Sequence, residues 1–396
     1  MRTNPPSNEP NNLAVSLQGS LFNKGDYPKL VDVLAECERT TESWFIDDEA
    51  QLALSRKGTT VGGDRVSWLA MRQVCKVLSS GLSLSLLDLL GMRREPEDLD
   101  KPYKSEVDPD EDFSVGEAAS LYNLALKKRF GRLFGFQAIR NSDTKVIEAV
   151  VGSRYRRLPN GDFVSAVSSS LESCETPLTF HSASLSGRKI SVLYSADGYE
   201  DFPLRPGIRL VNSEIGDSAI KAAVVVMSEN GSTMMSSYGK LNRVSHSGKD
   251  LLGKLSKLIS STVDKISSQP LSSAGLAKKI ENSSSLSLGF SGVDGDEKRF
   301  KDFIEFLTER AGLTYFMAKR CLAMVLTGSE PKVNNFAMLE RSTTWPKKSA
   351  MDLISAIMQE SLSQRTLYYN TTDRFERVAW GIFFNKIALP DINSGS

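Results

Sequence analysis

The sequence predicts an α+β protein with a central antiparallel sheet, N-terminal helices and a C-terminal helical unit. Apolar residues follow the helical period near both ends of the chain and a period of two between residues 133 and 227, where the connections are short. Short connections favour antiparallel neighbours, because a parallel pair needs a crossover of about a dozen residues or more. Helices that flank a run of strands are typical of the α+β class.

The N-terminal region is predicted to be helical after a disordered tail. Residues 1–12 contain three prolines and four asparagines, which leave little to bury. Residues 27–38 and 67–79 each carry one apolar stripe, so a helix is expected in both. The leucine-rich stretch at residues 78–90 is interpreted as a helix packed in an interface.

A mobile acidic loop is predicted at residues 95–112, which contain three prolines. The Ser114-x-x-Glu117 capping box then begins an amphipathic helix that runs to Lys128. Six strands are expected next, bounded by turn residues such as Asn141-Ser142-Asp143. These strands are predicted at residues 133–139, 146–151, 162–167, 189–194, 207–212 and 220–227.

The helical period returns in the last third of the chain. Four helices are predicted, at residues 251–266, 297–325, 349–362 and 373–387. The Ser- and Gly-rich residues 267–295 are interpreted as a linker. It would separate an α+β domain at residues 13–266 from a C-terminal helical unit at residues 296–396.

The composition excludes several classes of protein. The 396 residues include 49 bases and 48 acids, so any binding to a polyanion must come from local patches. Four widely spaced cysteines and two histidines predict neither a metal site nor a cofactor. No signal peptide and no apolar run of about 20 residues are visible, so a cytoplasmic protein without a membrane partner is expected.

Charge is sorted into two blocks of opposite sign. Residues 95–112 hold nine acids and two lysines, whereas residues 127–157 hold nine bases and two acids. Fixed positive charge on one face attracts phosphates, because each neutralised phosphate releases condensed counterions. The basic block is therefore a candidate polyanion site, and the acidic loop could occupy the empty groove and suppress loose binding.

Aromatic residues lie among the cations of the basic block, as in proteins that bind single strands by stacking bases on rings. The alternative is that the cations complement a helix dipole and that the phenylalanines are core. A second cationic run at residues 238–258 is a candidate for the opposite wall of a groove, or else a solvated helix face. The candidate nucleic-acid-binding residues are Lys127, Lys128, Arg129, Arg132, Arg154, Tyr155, Arg156, Arg157, Arg209, Lys240, Arg243 and His246.

Known catalytic motifs are not matched. Ser291 lacks the second glycine of a nucleophile elbow, and the Gly248-Lys249 pair lacks the glycine spacing of a phosphate loop. Asp294, Asp296 and Glu297 suggest a metal-dependent nuclease, although acids before a helix also serve as caps. No catalytic residue is therefore assigned.

Several short motifs occur in the order seen in a phage- and plasmid-borne family, domain of unknown function 932. Residues 150–155 (VVGSRY) resemble its hallmark strand, residues 207–216 its Asn-Ser-Glu turn, and residues 243–246 its Arg-x-x-His. Asn230-Gly231 and the helices at residues 345–362 and 374–380 are also similar. The family commonly has a cysteine before the Asn-Gly, which is absent here. The resemblance implies a role in replication or recombination of a mobile element and assigns no reaction.

The leading hypothesis is a non-enzymatic DNA-binding protein of a phage or plasmid, such as a single-strand binding or annealing factor. It would neutralise the backbone and stack bases without a sequence code. The alternative is a structural protein that forms a homo-oligomer through the leucine-rich stretch and the C-terminal helices.

Overall fold

In the computed structural model, the described residues are 20–55, 59–60, 62–78, 115–199, 201–236, 242–267, 269–290, 296–310, 313–328, 347–364 and 369–390. Within them the chain forms two sheets and ten α-helices, which confirms the α+β class. The predicted tail at residues 1–12, the acidic loop at residues 95–112 and the leucine-rich stretch beyond Leu78 lie outside the described residues. None of the helices in the described ranges is long and apolar enough to cross a membrane.

Eleven strands in the described residues build a large and a small sheet. They are β1 (Ser20–Asn23), β2 (Thr41–Phe45), β3 (Arg65–Val66), β4 (Gln137–Asn141), β5 (Val146–Val151), β6 (Leu178–Ser186), β7 (Lys189–Ala196), β8 (Leu204–Ser213), β9 (Ile220–Ser228), β10 (Thr233–Met235) and β11 (Arg243–Val244). The large sheet is antiparallel in the order β1-β6-β7-β8-β9-β10, with β11 also paired to β9. The small sheet has the order β2-β4-β5-β3, and its β3–β5 pair is parallel.

The helices flank these sheets. They are α1 (Tyr27–Arg39), α2 (Trp68–Leu78), α3 (Val115–Arg129), α4 (Asn160–Glu172), α5 (Leu251–Val263), α6 (Ser273–Ser285), α7 (Asp296–Glu309), α8 (Tyr315–Thr327), α9 (Ala350–Gln364) and α10 (Tyr369–Phe383). The predicted helices at residues 27–38, 67–79, 251–266, 349–362 and 373–387 are confirmed to within a few residues. The helix that runs to Lys128 is also confirmed, while its capping residue Ser114 lies outside the described residues.

Both faces of the large sheet are covered, so every residue of β7 is buried. On one face, Val192 and Ile208 belong to a cluster that also contains Phe163 of α4 and Leu255 of α5. On the other face, Arg209 reaches α10. Strands buried on both sides carry nearly continuous apolar sequence, which explains the run of valines in β9.

One prediction about secondary structure is wrong and two are borne out only in part. Residues 162–167 belong to helix α4, and the buried side chains Phe163, Val167 and Leu171 have helical spacing over a longer window than six residues. Strand β4 begins at Gln137, after a turn in which Gly135 has a φ of 76°. Residues 297–325 form two helices, α7 and α8.

The C-terminal helices share the core of the large sheet. The predicted linker at residues 267–295 contains helix α6, whose Leu276 is buried. Leu276 belongs to the same apolar cluster as Ile208 of β8 and Phe375 of α10. Sheet and C-terminal helices are therefore joined by one continuous core.

Candidate functional site

An open cleft of 460 Å³ is lined by residues that lie next to strands of both sheets. The small sheet supplies Phe136, which precedes β4, and residues 152–155, which follow β5. The large sheet supplies residues 216, 218 and 219 in the turn between β8 and β9, and residues 245–247 after β11. The cleft thus brings the end of the predicted basic block against the second cationic run.

Main-chain contacts fix these segments against each other. Tyr155 and Ser247 form an antiparallel β-bridge, and the backbone N–H of Arg156 donates to the His246 carbonyl at 2.6 Å. The phenol of Tyr155 donates to the Ser213 carbonyl at 2.9 Å and accepts from the Gly216 N–H at 3.0 Å. Burial raises the pKa of Tyr155, which keeps this bridging hydroxyl protonated.

The turn after β8 requires a glycine at its centre. Gly216 has a φ of 69°, and a Cβ atom there would lie 2.8 Å from Cγ1 of Val151. Next to it, Asp217 forms an ion pair with Lys189 at 3.7 Å. The buried carboxylate of Glu214 accepts from the backbone N–H of Asn160 at 2.6 Å and ties the turn to α4. The wall of the cleft that carries Gly216 is therefore a fixed structure.

His246 lines the cleft and is 4% exposed. Its ring stacks on Tyr155 with a centroid distance of 5.0 Å. Nδ1 is 3.2 Å from the Arg156 carbonyl, which can only accept, so Nδ1 carries the proton. Burial lowers the pKa of His246, against the opposing effect of that backbone bond, so the ring is neutral at pH 7 and Nε2 is an acceptor.

Arg154 is exposed and is part of the lining of the cleft. Three more exposed cations, Arg156, Arg243 and Lys249, lie within two residues of lining residues along the chain. Chain geometry limits the Cα distance to about 11 Å between Arg243 and His246 and to about 7 Å between Lys249 and Ser247. Within the described part of the chain, none of the four forms an ion pair with a carboxylate. Their charge is available to a ligand.

The structure removes Arg209 from the predicted set. Its side chain is 2% exposed and forms a bidentate ion pair with Glu376, in which Nη2 donates at 2.8 Å. Nη1 lies 3.5 Å from a second carboxylate, that of Asp373. A buried guanidinium that is neutralised in this way cannot reach a phosphate in solvent.

Arg157 also has a structural role. It is half-buried, donates to Glu38 at 3.1 Å, and forms an ion pair with the buried Glu214 at 3.0 Å. Another base of the block, Arg140, is paired with Glu42 and with Asp64. Local counting of cations could not detect these partners, because the acids come from other parts of the chain.

The candidate cations that precede β4 in the chain do not line the cleft. Lys127 and Lys128 are exposed in the last turn of α3, and Arg132 is exposed in the 3-10 turn Phe130–Arg132. Arg129 donates to the carbonyl of Leu78 and so caps the end of α2. Lys240 lies outside the described residues.

Sequence reasoning missed two hydroxyl groups of the cleft, those of Ser153 and Ser218. Ser153 lies in the VVGSRY segment, so the resemblance of that segment to the family's hallmark strand could have indicated it. Ser218 follows Gly216 in a stretch where no sequence motif indicated a site. The described residues contain no group of three or more His, Cys, Asp and Glu side chains placed to hold a metal ion. Asp294 of the suggested nuclease centre lies outside them.

Comparison of the chain with protein-family models, with curated proteins and with solved structures found no match.

Proposed function

We propose that this protein binds single-stranded nucleic acid at the cleft between its two sheets, without catalysis, as part of the replication or recombination of a mobile element. The observation that carries the proposal is the convergence of Arg154, Arg156, Arg243 and Lys249, which come from two distant segments, around one cleft. Unpaired cations on a common rim can follow a phosphate backbone, and each contact releases counterions.

Aromatic rings supply the second part of the mechanism. Phe136 lines the cleft, and Phe134 is 65% exposed two residues before it. Stacking of a base on an exposed ring contributes roughly 1–3 kcal/mol and does not depend on the identity of the base. Binding by these contacts favours single strands, because the faces of bases in a duplex are already stacked.

The resemblance to the phage- and plasmid-borne family supports the biological context. Its motifs at residues 150–155, 207–216 and 243–246 each contribute at least one residue to the lining of the cleft. Three segments that are distant in sequence and meet at one surface are consistent with a shared binding role. Replication and recombination are the processes in which a mobile element exposes single strands.

An anisotropy titration with labelled single-stranded DNA, duplex DNA and RNA at several salt concentrations tests the proposal. We expect the tightest binding to a single strand and a linear fall of log K with log salt. The variant Arg154→Gln/Arg156→Gln should reduce the salt slope by roughly 1.4, since each phosphate contact with a single strand contributes about 0.7.

The matched control is Lys278→Gln/Arg310→Gln, which removes one exposed charge from α6 and one from the residue that follows α7. This control should leave the slope unchanged. An equal decrease of the salt slope in both double variants would mean that only the net charge of the protein matters. That result would contradict a localised site. If no polyanion binds at low salt while light scattering detects a stable assembly, the homo-oligomeric structural protein is the better explanation.

A further inference from the structure

Two buried polar atoms of residues that line the cleft have no hydrogen-bond partner within the described residues. They are Nε2 of His246 and Oγ of Ser218. Both residues line the cleft, and the two serines that flank His246, Ser245 and Ser247, bond to each other at 2.8 Å. A buried polar group without a partner is unfavourable, so both atoms are candidates for contacts with a ligand.

The type of each atom restricts the ligand. Nε2 of the neutral His246 ring is an acceptor, because Nδ1 holds the proton and donates to the Arg156 carbonyl. A phosphate oxygen also accepts and is therefore a poor partner for Nε2. An N–H group suits this position, and the Ser218 hydroxyl, from the same cleft lining, can donate or accept.

We propose that the cleft takes up one unpaired nucleobase, whose Watson–Crick N–H group donates to Nε2 of His246 while the sugar–phosphate backbone lies along the cationic rim. This inference rests on the proposed function and adds a reason for single-strand selectivity. The N1–H of guanine and the N3–H of thymine are used in base pairs, so a duplex cannot offer them. The 460 Å³ cleft is within the range of small-ligand sites, which is about 300–1,000 Å³.

The test uses two labelled oligonucleotides of about 12 nucleotides, a length within the known site sizes for single strands. One is oligothymidylate, and the other carries a methyl group at N3 of every thymine. The methyl group removes the N–H donor and leaves every phosphate in place. Full-length protein should bind the unmethylated strand roughly 3- to 10-fold more tightly, the effect of one hydrogen bond.

The variant His246→Asn identifies the acceptor. An asparagine amide can keep the donor to the Arg156 carbonyl but has no atom at the position of Nε2. It should bind the unmethylated strand roughly 3- to 10-fold more weakly than the wild type does, and it should no longer distinguish the two strands. His181→Asn is the matched control, because His181 lies on β6 and does not line the cleft.

Each outcome separates the inference from the proposed function. If the wild type binds both strands equally, or if His246→Asn still distinguishes them, the base-binding role is overturned while nucleic-acid binding stands. If the wild type binds neither strand at low salt, both are overturned. Should His246→Asn fail to fold by circular dichroism, Ser218→Ala replaces it, and unchanged affinity for both strands in that variant counts against the site.

Discussion

The buried charge cluster at Arg209 allows a sharp prediction about stability. Glu376 is fully buried, and besides Arg209 it accepts hydrogen bonds from Thr233 at 2.8 Å and from Ser361 at 3.0 Å. These contacts join β8 and β10 to α9 and α10. Glu376→Gln keeps an acceptor for the two hydroxyls and removes the charge that neutralises the guanidinium.

The expected loss follows from the burial of the pair. Arg209 is 2% exposed, and after the substitution its guanidinium keeps Asp373, at 3.5 Å, as a carboxylate partner among the described residues. Breaking one partner of a buried ion pair reduces the free energy of unfolding by about 3–5 kcal/mol. The double variant Arg209→Met/Glu376→Gln removes both charges, so it should recover most of this loss.

Urea unfolding followed by circular dichroism and by tryptophan fluorescence measures these differences, with coincident curves as the criterion for a two-state transition. The four proteins form a double-mutant cycle whose coupling energy reports the pair. If Glu376→Gln changes the free energy of unfolding by less than about 1 kcal/mol, the pair is more solvated than its burial implies. A double variant that is less stable than either single one would refute the argument.

Three further predictions concern the core and the pH dependence of stability. Gly207→Ala places a Cβ atom 2.1 Å from the Tyr194 carbonyl oxygen and 2.8 Å from Cε of Met227. This overlap should lower the free energy of unfolding by about 1–3 kcal/mol or more, and with it the melting temperature. An unchanged melting temperature would contradict this packing. Burial lowers the pKa of His246, so the wild type should lose stability as pH falls below 6.5, and His246→Asn should lose less. Urea unfolding on either side of that pH compares the two proteins. Equal losses of stability in both would contradict a neutral ring. Burial raises the pKa of Asp373 above 3.8, so the folded protein loses stability as pH rises through the raised pKa and the buried carboxyl ionises. The urea midpoint of Asp373→Asn should therefore exceed that of the wild type by an amount that grows with pH. A difference in midpoint that shrinks as pH rises would contradict a raised pKa.

Most helices could be predicted because their signals are local. The apolar stripe of residues 27–38 reappears as the buried side chains Leu30 and Leu34 of α1. Strand and helix were confused at residues 162–167, where a window of six residues is too short to separate the two periods. Helix α6 inside residues 267–295 was not predicted, because a Ser-rich helix needs only Leu276 and a few neighbours to pack against the core.

The candidate site could be predicted only in part. The sequence indicated that residues 154–156 and 243–249 are cationic and could form opposite walls, and the structure brings these segments into contact. It also indicated Arg157 and Arg209, which the fold uses as partners for Glu214 and Glu376. Exposure of a charged side chain depends on residues far away in sequence, so neither composition nor spacing could separate the two groups.

By itself, the sequence determined the α+β class, the positions of most helices and the presence of a local excess of cations, because periodicity and charge are properties of neighbouring residues. Only the tertiary structure decided which cations form ion pairs. Only it placed, among the described residues, a ring nitrogen without a hydrogen-bond partner on His246, in a cleft lining that also contains Ser218. Hydrogen bonding and burial are set by contacts between β5, β8 and β11, which the chain joins only when it folds.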